Sequence, residues 1–272
     1  MFVWVGGWRS SLPAVTFHGF KYTYFLYFRF QTLAELIKTP FISRIWVSDL
    51  LNLFFPNYCQ SCGNALVGQE EVICYQCLFH LPRTGFHQHA ENPISRLFWG
   101  RVNLQAASSF LFFAKGGSVQ HLIHLLKYKG HQETGIYLGE LYGKELAESE
   151  LFNSAEIIIP VPLHPTKLRI RGYNQTEKIA IGLSNSMGIP CEAGNLSKII
   201  HTESQTTKTR YGRWQNVKDA FQVNNPEKIV GKHILLVDDV LTTGATIEAC
   251  ATKLMKIPDT RVSVATIAYA QV

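Results

Sequence analysis

Two adjacent carboxylates, Asp238 and Asp239, close the apolar run Ile234-Leu235-Leu236-Val237 and stand before Leu241-Thr242-Thr243-Gly244-Ala245-Thr246. A short, wholly apolar run reads as a buried strand, and parallel sheets place ligands at the C-terminal ends of their strands. Carboxylates paired at that edge can accept hydrogen bonds from the 2′- and 3′-hydroxyls of a ribose, with a magnesium ion as a helper. The hydroxyl-rich segment that follows opens a helix. Its backbone N–H groups converge, the helix dipole favours an anion, and threonine hydroxyls add donors. Gly244 lets the backbone approach a phosphate closely. Together these residues suit a ribose 5′-phosphate. A strand that merely ends in two acids before a capped helix is the plainer reading, and the ten-residue string Val237–Thr246 taken whole argues against it. Neither G-x-x-x-x-G-K-[ST] nor G-x-G-x-x-G occurs, so the usual nucleotide fingerprints are excluded.

A second constellation lies upstream. Cys59-x-x-Cys62 and Cys74-x-x-Cys77 are separated by eleven residues. Two such knuckles set four thiolates at the corners of a tetrahedron, which is the preference of zinc. Four protein ligands leave no open coordination position, so the zinc is expected to be structural. His80, His87 and His89 lie nearby and are expected on the surface or in a linker. Cys191 and Cys250 stand alone and read as plain buried thiols. Reduced, metal-holding cysteines point to a cytoplasmic, reducing compartment.

The elements that position these residues follow from periodicity. Phe110–Ala114, Ile157–Ile159, Ile234–Val237 and Val262–Ala268 read as strands. Helices are expected from a Ser118 cap through Leu122, Leu125 and Leu126, over Glu133–Leu151, over Gln175–Met187 and over Ala245–Met255. Apolar strands alternating with helices indicate an α/β fold, a parallel Rossmann-like sheet with helices on both faces. The expected organisation is an aromatic-rich extension over 1–48, a zinc ribbon over 49–82, a linker over 83–104 and the α/β domain over 105–272. The extension reads either as an interfacial anchor or as sequence upstream of a start near Val47. No apolar run approaches the length of a membrane span.

Apolar residues make up 46% of the 272-residue chain and charged residues 17%, which excludes bulk disorder. The net charge is +6, and fourteen basic against ten acidic side chains fall in residues 155–272. A basic C-terminal half suits an anionic ligand. Between residues 198 and 218 five cations face Glu203 alone, with Tyr211 and Trp214 available for stacking, so a patch for single-stranded nucleic acid is a reading of this stretch.

The string Val237–Thr246 resembles the 5-phosphoribosyl-1-pyrophosphate (PRPP) motif of type I phosphoribosyltransferases. Further segments narrow the likeness to the ComF/GntX-like family, named for competence in DNA uptake. They are Lys127-Tyr128-Lys129-Gly130, Pro160-Val161-Pro162-Leu163, Arg169-Ile170-Arg171-Gly172-Tyr173-Asn174-Gln175, Thr202-x-x-Gln205 and Arg213-x-x-Asn216-Val217-x-x-Ala220-Phe221. The double Cys-x-x-Cys belongs to the same pattern, and the likeness runs over roughly residues 48–270. It implies a type I phosphoribosyltransferase fold and a PRPP site. Val161, Pro162 and Lys127 would meet the pyrophosphate, Asp238 and Asp239 the ribose, and Leu241, Thr242, Thr243, Gly244, Ala245 and Thr246 the 5′-phosphate. Arg169 and Arg171 would stabilise the leaving pyrophosphate, with Asp238 and Asp239 as their catalytic companions. The cofactors implied are a structural Zn²⁺ and a Mg²⁺ that arrives with PRPP. The acceptor is a nitrogenous base or amine, and Gln205, Lys208, Arg210 and Arg213 are the candidates to meet it or single-stranded DNA. His201 departs from the pattern, where arginine is expected. The alternative is a module that senses the ligand or holds DNA for the competence machinery without turnover.

Overall fold

The computed structural model describes residues 56–198 and 220–271. The chain divides into two units, Met1–Pro56 and Asn57–Val272, and every described helix and strand belongs to the second. The expected extension over 1–48 lies outside the described residues.

Four strands form one sheet: β1 (Ala107–Phe113), β2 (Ile157–Pro160), β5 (His233–Leu241) and β6 (Arg261–Ala270), in the order β1-β6-β5-β2. Every pairing is parallel. Parallel strands buried on both faces need continuous apolar sequence, and Ile157-Ile158-Ile159 and Ile234-Leu235-Leu236-Val237 supply it. Successive residues alternate between two cores. Leu235 and Val237 join Leu122, Leu138 and Leu183 on one face, while Ile234 and Leu236 join Ile247, Cys250 and Leu254 on the other. The first face carries α3 (Ser118–Tyr128), α4 (Gln132–Glu148) and α6 (Gln175–Met187); the second carries α7 (Ala245–Leu254). The expected α/β architecture with helices on both faces is therefore present. A separate antiparallel pair, β3 (Leu196–Lys198) with β4 (Phe221–Val223), had no clear signal in the sequence.

Three details differ from the sequence reading. Ser118 is the first helical residue, not the cap; Gly117 occupies the cap position and no side chain serves it. Strand β5 runs on to Leu241, so Asp238 and Asp239 lie within its final residues and not after it. The stretch 83–104, expected as a linker, is packed. Asn92 starts α2 (Pro93–Leu97) through a capping box, its Oδ1 accepting from the N–H groups of Ile94 at 2.8 Å and Ser95 at 3.0 Å. Ile94 and Phe98 are then fully buried beside α7.

Helix α4 meets α6 through glycines. A Cβ added at Gly139 would collide with the carbonyl oxygen of Ile179, and one at Gly182 with that of Ile136. This contact brings the start of α6, with Gln175, over the end of β5. The cysteine module, which includes α1 (Tyr75–Phe79), is also no appendage. Cys59, Val72, Ile73 and Cys74 share a core with Leu122 and Leu138, and Gln60 donates to Glu133 at 2.7 Å.

Candidate functional site

At the C-terminal end of β5 the two carboxylates part company. Asp239 is buried, and both of its oxygens are engaged. Lys127 Nζ, from the last turn of α3, lies 2.8 Å from Oδ1. Gln175 Nε2, at the start of α6, donates to Oδ2 at 2.8 Å. Gln175 Oε1 in turn accepts from Arg171 Nη1 at 2.7 Å. The Arg171 guanidinium stacks 5.0 Å above the Tyr128 ring. A continuous polar chain thus runs from Arg171 through Gln175 and Asp239 to Lys127.

Asp238 has poorer company. Its Oδ1 accepts the Asp239 N–H at 2.8 Å. Burial first, and then the charge of Asp239, push its carboxyl up to about 7, against the pull of that N–H and of Lys127. The pair therefore holds one more negative charge than its protein surroundings neutralise well.

Beyond the carboxylates, Thr242–Thr246 turn into α7. Gly244 caps the helix at φ 75°, a left-handed conformation that side chains resist. The N-cap makes no side-chain hydrogen bond, and helix geometry leaves the first-turn N–H groups without partners inside the helix. Phe98 packs beneath, 2.8 Å from where a Gly244 Cβ would stand. On the other side of the carboxylates, β2 ends at Pro160. Val161 N donates to Val237 O at 2.8 Å, and its own carbonyl accepts from Asn174 Nδ2 at 3.1 Å. His164 then caps the short helix α5 (Pro165–Arg171), its Nδ1 accepting from Thr166 N at 3.2 Å.

These parts enclose a cavity of about 220 Å³ lined by Lys127, Val161, Pro162, Leu163, His164, Lys167, Arg171, Gln175, Thr176, Lys198, Asp238, Asp239 and Thr246. A smaller concavity of about 40 Å³, lined by Asp238, Val240 and Leu241 through Ile247, shares Asp238 and Thr246 with it. Two roomier clefts, of about 480 and 660 Å³, lie elsewhere and hold neither carboxylate. Lys127, Lys167, Arg171 and Lys198 line the larger cavity with both acids, and Asp238 joins it to the concavity at the start of α7.

Of the residues singled out in the sequence, Lys127, Val161, Pro162, Arg171, Asp238, Asp239 and Thr246 meet at the larger cavity. Leu241, Thr242, Thr243, Gly244 and Ala245 line its neighbour. Arg169 does not join them. It lies two residues before Arg171 on a helix, about 200° around the axis, and is exposed. Gln205, Lys208, Arg210 and Arg213 lie outside the described residues, as does His201. Sequence reasoning passed over His164, Lys167 and Thr176; it read Lys198 only as part of the basic 198–218 stretch and Gln175 only as a member of the segment that carries Arg169 and Arg171. Gln175 stood inside a quoted segment; what it lacked was a partner, and that partner is 64 positions away.

The four thiols of the cysteine module come together as their spacing requires. Their sulfurs all lie within 4.8 Å of one another, and Cys62 Sγ is 3.8 Å from Cys74 Sγ. A tetrahedron with Zn–S bonds of about 2.3 Å has edges of about 3.8 Å. The N–H groups of Ser61 and Cys74 point at Cys59 Sγ from 3.4 and 3.3 Å. Burial raises that thiol, yet these and neighbouring hydrogen bonds bring it down to about 7. The donor set fits a soft divalent metal. None of the histidines joins it. His80 and His89 are exposed, but His87, expected on the surface, is buried with Nδ1 3.4 Å from Glu145, and burial lowers its pKa. Burial pushes the Cys191 thiol up to about 11 and raises Cys250 as well, as suits inert thiols.

No family model matches the chain. It is 27% identical over 201 residues to a DNA utilization protein, YhgH, of Salmonella typhimurium, covering 73% of this chain and 84% of that protein. It is 35% identical over 103 residues to competence protein F of Haemophilus influenzae, covering 38% and 45%. The chain is thus similar to proteins named for DNA utilization and for competence. Similar solved structures include a purine phosphoribosyltransferase from Pyrococcus horikoshii, with a TM-score of 0.34, 18% identity, and 49% of this chain and 74% of that one covered. Another is the glutamine PRPP amidotransferase of B. subtilis, with a TM-score of 0.37, 22% identity and 53% of this chain covered; the likeness spans 30% of the amidotransferase. Among the described residues no helix is long and apolar enough to cross a membrane.

Proposed function

We propose that this chain binds PRPP with Mg²⁺ and transfers its phosphoribosyl group to a nitrogen acceptor, releasing pyrophosphate. One observation carries the reading: Asp238 joins two adjoining concavities, one formed by 242–246 at the start of α7 and one lined by Asp239 with the cations Lys127, Lys167 and Arg171. A ribose with phosphate at C5 and pyrophosphate at C1 matches that order. The 5′-phosphate would sit on the N-terminus of α7 and the ribose hydroxyls on the carboxylates. Pyrophosphate would face the 160–163 loop.

In the transfer, the bond from C1 to the pyrophosphate oxygen breaks and its electron pair leaves with pyrophosphate. Positive charge develops at C1, and the lone pair of the acceptor nitrogen closes the new bond. Lys127 and Arg171 are placed to stabilise the departing oxygens, which matters more here than a strong base. Asp238 and Asp239 would hold Mg²⁺; when bound, it supplies charge neutralisation to the pyrophosphate. Burial, and then the charge of Asp239, raise the Asp238 pKa, and a cation held by the pair would offset both. Cys59, Cys62, Cys74 and Cys77 would hold a structural Zn²⁺, which requires reduced thiols and so a cytoplasmic setting. The names of the relatives, a DNA utilization protein and a competence protein, support a role in DNA uptake or use.

The test is a pyrophosphate-release assay with PRPP, Mg²⁺ and a panel of nucleobases and amines. Release dependent on one acceptor class and lost in Asp239→Asn is the expected result. Tight PRPP binding with no release from any acceptor would favour a second reading, a ligand-sensing or single-stranded-DNA-binding module. One observation supports that reading: Lys129 and Arg169, each two residues from a cavity-lining cation, are exposed and available to a strand.

A further inference from the structure

Arg101 follows α2 and lies 142 positions before the loop it touches. Its Nη1 donates to the carbonyl of Thr243 at 2.9 Å and to that of Leu97 at 3.1 Å. Its Nε and Nη2 both donate to Glu248 Oε2, at 3.0 and 2.6 Å. The guanidinium also lies 5.8 Å from the Phe98 ring centroid. One flat fork therefore ties three elements: the loop at Thr243, the first turn of α7 at Glu248, and the end of α2. The cleft that Arg101 lines holds none of residues 242–246, and Arg101 takes no part in the concavity those residues form.

We infer that Arg101 is a positioning residue for the phosphate cradle, acting through the backbone and without touching the ligand. The reason is peptide geometry. In a trans peptide the carbonyl and the next N–H point in opposite directions. By holding the Thr243 carbonyl outward, Arg101 turns the Gly244 N–H away from itself, toward the concave side. Phe98 braces the same peptide from beneath, leaving no room for a Cβ at Gly244. Arg101 has a second effect. Glu248 places a carboxylate in the first turn of α7, where it would repel a bound phosphate. The guanidinium engages that carboxylate with two donors.

The inference rests on the proposed reading that residues 242–246 take a 5′-phosphate. Its test compares Arg101→Ala and Arg101→Lys with the unaltered full chain by isothermal titration of two ligands, ribose 5-phosphate and magnesium pyrophosphate. The expected result is ribose 5-phosphate binding at least tenfold weaker in Arg101→Ala, with magnesium pyrophosphate binding within about twofold of the unaltered protein. Arg101→Lys retains the charge but loses the fork, and should weaken ribose 5-phosphate nearly as much. Either of two results would overturn the assignment: unchanged ribose 5-phosphate affinity in both variants, or equal loss for both ligands, the mark of general misfolding. Arg101→Lys behaving as the unaltered protein would overturn it too, leaving only a charge effect. An unaltered chain that binds neither ligand would reject the underlying reading, and this inference with it.

Discussion

Lys127 Nζ stands 2.8 Å from Asp239 Oδ1, joining the end of α3 to the end of β5 across 112 positions of sequence. On the opposite oxygen, Gln175 holds Asp239 and links it to Arg171. Asp239 is thus fixed in one orientation, with a cation on each flank of the cavity.

Breaking this chain should weaken PRPP binding. Gln175→Glu keeps an acceptor for Arg171 but sets a carboxylate against Asp239. Lys127→Met leaves Asp239 buried with its charge unpaired. A hydrogen bond to a charged group contributes about 1.5–3 kcal/mol, so each variant should lose roughly ten- to a hundredfold in affinity by titration calorimetry. Affinities within twofold of the unaltered protein would show that the chain does not shape the site.

Asp238 makes stability depend on pH. Its carboxyl titrates near 7 in the folded protein against an ordinary 3.8. Between these values the folded state binds more protons than the unfolded one, so its contribution to stability falls as pH rises from about 4 to about 7. Burial lowers the pKa of His87 and His233, which works in the opposite sense. The difference between the unaltered protein and Asp238→Asn isolates the term. That difference, from melts between pH 4 and 8, should drift against the unaltered protein by up to about 1.4 kcal/mol per pH unit at its steepest. A flat difference would mean that Asp238 titrates at an ordinary pH.

Metal removal should unsettle more than the cysteine module. Cys59, Ile73 and Cys74 lie in the core that also holds Leu122 and Leu138 of α3 and α4. Elemental analysis is expected to find one zinc per chain. Cys74→Ser should lose it and lower Tm, each kcal/mol costing about 2–4 °C in a domain of this size. A metal-free protein that melts at the same temperature as the metal-loaded one would contradict this.

The glycine contact between α4 and α6 sets the height of Gln175 above the sheet. Gly182→Ala would drive a methyl group into the Ile136 carbonyl. The helices must separate, at a cost of about 1–3 kcal/mol, seen as a lower midpoint in urea. Unchanged midpoints in both Gly139→Ala and Gly182→Ala would show the helices free to adjust.

Much of this was legible in the sequence because it is local. The carboxylates, the cradle and the cysteine knuckles each lie within a short stretch whose spacing carries the chemistry. The parallel sheet could be read because wholly apolar strands have few other uses. What escaped was set by distant partners. Nothing near Arg101 announces Thr243 or Glu248, and nothing near Gln175 announces Asp239. The 83–104 stretch looked like a linker because Gly85, Pro93 and its polar residues suggested loops, yet Asn92 and Pro93 are helix-starting residues and Ile94 and Phe98 an apolar face. Arg169 and Arg171 looked equivalent until α5 turned one of them outward.

The most direct measurement is titration of PRPP into the full chain, with and without Mg²⁺, alongside Asp238→Asn and Asp239→Asn. Binding is expected to need Mg²⁺, to release protons below about pH 7 as Asp238 ionises, and to fall at least tenfold in either variant. Absence of binding in Mg²⁺, or binding indifferent to both carboxylates, would contradict a PRPP site at the end of β5.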